Sequence, residues 1–380
     1  MDFALSEEHR MLQRMVREFA EREIAPRAEE IDANDEFPHD LFRRMGEVGL
    51  LGLPFPPQFG GSGADYHALV VALEEIARIS GSVAITLDAH TSLCCEPIYR
   101  FGNEKQRLKY LMPLARGDQI GAFGLTEPQA GSDAGATQTR AVRQGDEWVV
   151  NGQKIYITNG SVADVVVFTA TTNPREGTRG ISAFIVEKGT VGFNAGRDEK
   201  KMGLKGSVTS ELFFEDCRIP AENLLGTENR GFEQFLATLD AGRVAIAAMA
   251  VGLAQGAYER SVDYAKEREQ FGRPIAEFQA IRWMLADMCT EIEAARLMVH
   301  RAAWLKEQGK RYTQAASMAK LFATEMAERV CHRAIQIHGG YGYVREAEVE
   351  RMYRDQRLCQ IGEGTNEIQR LVISRELLRS

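Results

Sequence analysis

Ile281, Leu285, Met288, Ile292, Ala295, Val299 and Ala302 follow one another at alternating steps of four and three residues. A seam of that period predicts a long helix packed nearly parallel to its neighbours, because only a repeat near 3.5 residues keeps an apolar stripe facing a partner helix. Met318, Phe322, Met326, Val330 and Ala334 mark a second long helix, and Pro274 is the only proline after Asn229. Both stripes read as core, so the last part of the chain is predicted to be a four-helix-type bundle.

Upstream the period changes. Trp148 to Val150, Ile155 to Thr158, Val165 to Thr169, Ile181 to Val186 and Leu212 to Phe214 are short β-branched and aromatic runs separated by Gly and Asn turns. Asn151-Gly152, between two such runs, predicts a type I′ hairpin, since both residues tolerate positive φ. No long helical pattern intervenes, so the strands are expected to be antiparallel. The first third is helical again, with Leu12, Met15, Val16 and Phe19, then Leu69, Val70, Leu73, Ile76 and Ala77, at helical spacing around a Pro- and Gly-rich break at 53–63. The expected fold is α+β multidomain: an N-terminal helical domain over 1–119, a central antiparallel β-barrel or sandwich domain over 120–227, and a C-terminal four-helix bundle domain over 228–380.

With 46 basic and 54 acidic residues the chain carries a net charge of -8, which sets a nucleic-acid surface aside. Its six cysteines show no C-x-x-C spacing and its seven histidines no ligand spacing, so no metal site is expected and the thiols read as reduced core residues. An acidic amphipathic segment follows Met1–Ser6 without an apolar or Arg-rich leader, and no uninterrupted apolar run approaches a membrane span. A cytoplasmic location is expected. Dinucleotide-fold, P-loop, zinc-protease and serine-hydrolase motifs are absent.

What remains is three glycine-rich polar segments. Gly124-Leu-Thr-Glu-Pro-Gln-Ala-Gly-Ser-Asp133 opens the β region, where small residues let backbone N–H groups approach an anionic or carbonyl-rich ligand. Gln336-Ile-His-Gly-Gly-Tyr-Gly342 ends a helix, and Ile361-Gly-Glu-Gly-Thr-Asn-Glu367 sets a carboxylate between two glycines. Taken singly they also read as a surface turn, a helix C-terminus and a solvated loop. Together, Thr126 to Asp133, Glu267-Arg268-x-x-Phe271-Gly272, Gln336 to Gly342 with Glu346, Arg351 and Asp355, and Glu363-Gly-Thr-Asn-Glu-Ile-Gln-Arg370 resemble the acyl-CoA dehydrogenase family, short- or branched-chain type, in order over essentially the whole chain.

The resemblance implies FAD bound between the β domain and the bundle, a homotetramer, and an electron-transfer flavoprotein as electron acceptor. It places Phe123, Leu125, Thr126, Gly131 and Ser132 along the flavin, with Ser132 also touching substrate. Tyr156, Ile157 and Thr158 should lie against the isoalloxazine; many relatives have Trp at the position of Tyr156. Arg268, Phe271, Gln279, Gln336, Ile337, His338, Gly339, Gly340, Thr365, Asn366 and Glu367 should hold the rest of FAD, partly from a neighbouring subunit. Asp240, Ala241, Gly242, Arg243, Gly362 and Gly364 should flank the acyl-CoA thioester. Glu363 should remove the α-proton while a hydride passes from the β-carbon to flavin N5, giving a trans-2-enoyl-CoA. Some relatives carry the base at the position of Gly242, which has no side chain to serve. Many straight-chain relatives have Tyr where this chain has Gly362, and Ala89-His-Thr-Ser-Leu-Cys94 is similar to isovaleryl-CoA dehydrogenases, so a short or branched acyl chain is expected. An oxygen-using oxidase of the same fold, a DNA-binding flavoprotein relative and a purely structural helical protein are the rival readings.

Overall fold

The computed structural model describes residues 4–379. Helix α1 (Glu7–Phe19) starts at Ser6, whose hydroxyl accepts from the His9 N–H and satisfies one of the first-turn donors. Helices α2 (Tyr66–Ala77) and α3 (Gly81–Asp88) are capped by Asp65 and Ser80 and buried on nearly every side, as an all-round apolar composition requires. After α3 the chain stays helical in wide π-type turns over Ala89–Cys95.

The central region holds β1 (Gly121–Gly124), β2 (Arg140–Gln144), β3 (Glu147–Thr158), β4 (Val165–Thr171), β5 (Ile181–Glu187), β6 (Phe193–Asp198), β7 (Thr209–Pro220) and β8 (Leu224–Leu225). They form one sheet in the order β6-β7-β3-β2-β4-β5-β8, with β1 beside β4. Alternation along β4 sends Val165 and Val167 to a core shared with the N-terminal helices, and Val166, Phe168 and Ala170 to a second core inside the curled sheet. There Phe168 stacks on Phe214 of β7 at 4.5 Å and Trp148 meets Phe184 edge-on at 5.3 Å.

Two expectations about the strands need correction. The sheet is not wholly antiparallel: β1 runs parallel to β4, and β2 meets β4 in parallel at Arg140 and Thr171. Asn151-Gly152 is no hairpin but the middle of the twelve-residue β3, and the turn lies earlier, at Gly145-Asp146 between paired Gln144 and Glu147. A Cβ on Gly152 would sit 2.6 Å from Thr139 Cα, so this glycine serves close approach. Asn151 is spent on Asp216, exchanging two hydrogen bonds with it at 2.8 and 3.0 Å where the β3–β7 register slips.

The last part contains α4 (Gly231–Glu267), α5 (Gln279–Glu307), α6 (Thr313–His338), α7 (Val349–Cys359) and α8 (Asn366–Leu377). The seam on α5 is buried at Met288, Ile292, Ala295, Val299 and Ala302. On α6 Met326, Val330 and Ala334 of the expected stripe are buried and Phe322 packs against the core, while Met318 is exposed; Ala315, Ala316, Ala319, Ala323 and Ala327 also face inward, their small side chains admitting α4 closely. By length and composition α4 could cross a bilayer, but most of its apolar window is buried inside the protein. The cysteines are free thiols; five are buried and Cys289 is exposed, unlike the core position expected for it.

A buried ion pair fixes the first glycine-rich segment to the sheet. Lys154 on β3 donates to Glu127 Oε1 at 2.7 Å, to the Leu125 carbonyl and to Thr169 Oγ1, with neither charged side chain reaching solvent. Glu127 also accepts from the backbone N–H groups of Gln138 and Thr139. Burial pulls Lys154 down to about 8 against the attraction of Glu127. Lys154→Met leaves a lone buried carboxylate, which costs about 3–5 kcal/mol; thermal melting should show that loss, and Lys154→Met with Glu127→Gln should recover much of it.

Candidate active site

The turn between α7 and α8 carries Glu363 in a left-handed conformation, φ 55°, followed by Gly364 at φ 88°. A non-glycine residue holds that conformation only where its surroundings over-determine it. Here the Gln369 amide donates to the carbonyls of Glu363 (3.3 Å) and Gly364 (2.9 Å). Fully buried Lys320 on α6 donates to the Gly364 carbonyl and to Asn366 Oδ1, both at 2.9 Å. Thr365 closes the turn as the N-cap of α8, accepting from the Ile368 N–H. Thr365 and Asn366, read from sequence as cofactor contacts, therefore shape the loop itself, while Glu367 is exposed on the first turn of α8.

Both Glu363 carboxylate oxygens are shielded from solvent and accept no hydrogen bond among the described residues. Burial, then the neighbouring Asp88 carboxyl, raise its pKa well above the ordinary carboxylate range, against Lys320 and Arg243. Gly242 on α4 faces it so closely that a Cβ there would overlap Oε2, and would also meet Leu93 Cδ2 at 2.7 Å. The bare glycine is thus what makes room for the glutamate from the other loop. Gly362 is flanked by Ile246 and Leu358, whose nearest side-chain atoms lie 3.4 and 3.7 Å from where its Cβ would be.

The other α4 residues expected at the thioester look elsewhere. Asp240 accepts from Arg243 Nη1 and from Thr313 Oγ1, both at 2.6 Å, and the Ala241 carbonyl accepts from Tyr66. Of the four, Gly242 alone lies against the Glu363 carboxylate in these contacts.

On the sheet, Phe123 at the end of β1 stacks on Phe235 of α4 at 4.2 Å, tying the two regions together. Leu125 and Thr126 are half-buried beside it, and Gly131 and Ser132 are exposed. A register slip between Lys154 and Ile157 re-aims β3, so that Tyr156, at φ 56°, points to solvent while Ile157 is buried and Thr158 half-buried. A second group gathers at the far end of the bundle: Arg268, Ile337, His338, Gly339 and Gly340 line one cavity of about 460 Å³ with Tyr264 and Tyr341. His338 stacks on Tyr264 at 4.4 Å, and the Arg268 guanidinium lies over Tyr341. A Cβ on Gly339 or Gly340 would touch nothing within 4 Å, leaving an open backbone cradle. Gln336 and Gln279 are exposed, and Phe271 stands 94% exposed on a hairpin tip. The described residues contain no His, Cys, Asp or Glu cluster able to hold a metal.

Sequence profiles of the acyl-CoA dehydrogenase N-terminal, middle and C-terminal domains match residues 6–118, 122–217 and 229–378. The chain belongs to the acyl-CoA dehydrogenase family. Among its relatives are a probable acyl-CoA dehydrogenase of Bacillus subtilis, 53% identical over the full length of both chains, and the short-chain specific acyl-CoA dehydrogenase of Clostridium acetobutylicum, 50% identical, also over both full lengths. Butyryl-CoA dehydrogenase of Megasphaera elsdenii superposes with a TM-score of 0.98 at 45% identity. A chain in the structure of the electron transferring flavoprotein of Acidaminococcus fermentans superposes at 0.99 with 51% identity, and all of each chain is covered in both superpositions. Acyl-CoA dehydrogenases are FAD-dependent oxidoreductases. The cationic, aromatic-walled, side-chain-free cradle at Arg268 and Gly339-Gly340 suits a diphosphate-bearing cofactor of this kind.

Asp88 and Lys320 lie outside every motif, and Gln369 sits within the Glu363–Arg370 motif without an expected role. Only Lys320 left a signal, as a charge within the otherwise small and apolar run Ala315 to Ala323. Gly242→Ala should keep the fold yet push the Glu363 carboxylate aside, and a displacement near 1 Å lowers turnover about 10²-fold; steady-state rates alongside melting curves would check this.

Proposed function

We propose that this chain dehydrogenates a short acyl-CoA between its α and β carbons, with Glu363 as the base. The observation that carries the reading is the water-excluded, unpartnered Glu363 carboxylate in the space left by Gly242. A carboxylate cannot deprotonate an unactivated C–H, but the α-proton of a thioester yields once donors meet the developing enolate oxygen. The Glu363 backbone N–H, which makes no hydrogen bond among the described residues, is free to be such a donor. Its elevated pKa makes the carboxylate a stronger base when ionised. Bound FAD supplies the acceptor for the β-hydride. Phe123 to Thr126, the Tyr156–Thr158 segment and the Arg268 cavity are the proposed holders of the cofactor.

Ile246, Leu93 and Leu358 crowd the space around Gly242 and Gly362, which favours a short acyl group, and the relatives named short-chain specific and butyryl-CoA dehydrogenase agree with that. The missing side chain at Gly362 leaves room for a methyl branch. An electron-transferring flavoprotein is the proposed acceptor, supported by the likeness to a chain from such a system. A homotetramer would cover Phe271, Trp283 and Tyr343, large apolar side chains exposed on the bundle side.

Glu363→Gln should purify yellow, bind butyryl-CoA, and bleach its flavin at least about 10²-fold more slowly under anaerobic mixing; unchanged bleaching would end the reading. Gly362→Tyr should lower turnover of isovaleryl-CoA relative to butyryl-CoA, and an unaltered ratio would remove the branch-tolerance proposal.

A further inference from the structure

Asp88 is the last residue of α3 and is fully buried; the Ser92 hydroxyl faces its carboxyl, yet neither oxygen is held in a hydrogen bond of normal geometry among the described residues. It lies against Glu363, whose two oxygens are equally unpartnered. Four buried carboxyl oxygens with only the Ser92 hydroxyl facing them cannot belong to two ionised groups, since burying even one uncompensated carboxylate is prohibitive.

The surrounding cations do not resolve this. Lys320, from α6, directs its ammonium to the Gly364 carbonyl and Asn366. Arg243, from α4, is bound to Asp240. Tyr66, from α2, donates to the Ala241 carbonyl, and the buried Cys359 thiol at the end of α7 is pushed up to about 12 by burial and stays neutral. None of them hydrogen-bonds either carboxyl among the described residues. A single proton held between the two carboxyls gives each a partner and removes one of the two charges.

We propose that Asp88 is a positioning residue for Glu363: the two carboxyls share one proton in the resting enzyme, and Asp88 retains it when Glu363 acts. This rests on the reading of Glu363 as the base. With the proton on Asp88, its O–H donates to the Glu363 carboxylate and aims it at the substrate. The substrate Cα–H bond then breaks and its proton goes to Glu363. The C–H electron pair forms the Cα=Cβ bond as the β-hydride leaves for the oxidant, FAD. The pair ends with two protons, one of which returns to solvent before the next turnover. Burial raises Asp88 to about 6, and burial followed by the Asp88 charge raises Glu363 well above the ordinary carboxylate range, so the pair holds a proton that rests toward Glu363 in the free enzyme and crosses to Asp88 as Glu363 becomes the base.

Because only the ionised base works, the acid limb of the rate profile follows the titration of the pair. The test is the anaerobic flavin-bleaching rate of the holoenzyme with butyryl-CoA, measured against pH for wild type, Asp88→Asn, Asp88→Ala and Asp88→Val. On the acid limb Glu363 takes a proton while Asp88 already holds one, so Asn, a neutral donor in the same place, should leave that limb within about half a pH unit of wild type. Ala and Val take the donor away from the Glu363 carboxylate, so the limb should move up by about one pH unit or more, and either one covers a failure of the other to fold. Ala and Val limbs that superimpose on wild type, an Asn limb that falls by about a unit as loss of a like charge would cause, or an effect confined to the KM for butyryl-CoA would overturn the proposal. Failure of the base reading is recognised separately, by normal bleaching in Glu363→Gln.

Discussion

The exclusion of water from one carboxylate organises this protein. Glu363 sits where α3, α4 and the α7–α8 turn converge, and each contributes a different thing: Asp88 beside the carboxyl, a missing side chain at Gly242, and the left-handed backbone that delivers the group. A buried anion without donors is unstable in its charged form, which is what the proposed role as a base toward a weak carbon acid asks of it. The fold spends stability here and must recover it from the packing around the site.

Two buried lysines show how. Lys154 and Lys320 are both fully withdrawn from solvent and both hold loops rather than ligands. Lys154 with Glu127 anchors the turn that follows β1, and Lys320 with Gln369 anchors the turn that carries Glu363. Each replaces lost hydration with carbonyl, carboxylate or amide oxygens in fixed geometry, so that irregular backbone becomes as rigid as the helices beside it. The stack of Phe123 on Phe235 links the sheet to the long helix α4, which also carries Gly242.

Periodicity was the readable part of the chain. The four-three seam on α5 is buried as its spacing requires, and the β-branched runs at 148–150, 165–169 and 181–186 are strands. The glycine-flanked Glu363 and the Arg268 and Gly339-Gly340 segments were visible because chemistry that needs bare backbone leaves glycines behind. Asn151-Gly152 misled for a related reason: the dipeptide permits a turn, but a glycine demanded by close approach to Thr139 within a strand, at φ 151°, looks the same in sequence as one demanded by the left-handed φ of a type I′ turn.

The order of helices, strands and helices, and the candidacy of Glu363, were therefore determined by sequence, since both depend on local period and on residue type. Which groups surround Glu363 was decided only by the tertiary structure. Asp88 lies 275 positions earlier in the chain, and Lys320 and Gly242 are 43 and 121 positions away. Proximity across such separations arises from helix packing, and the protonation of a buried carboxyl depends on that proximity rather than on its neighbours in sequence.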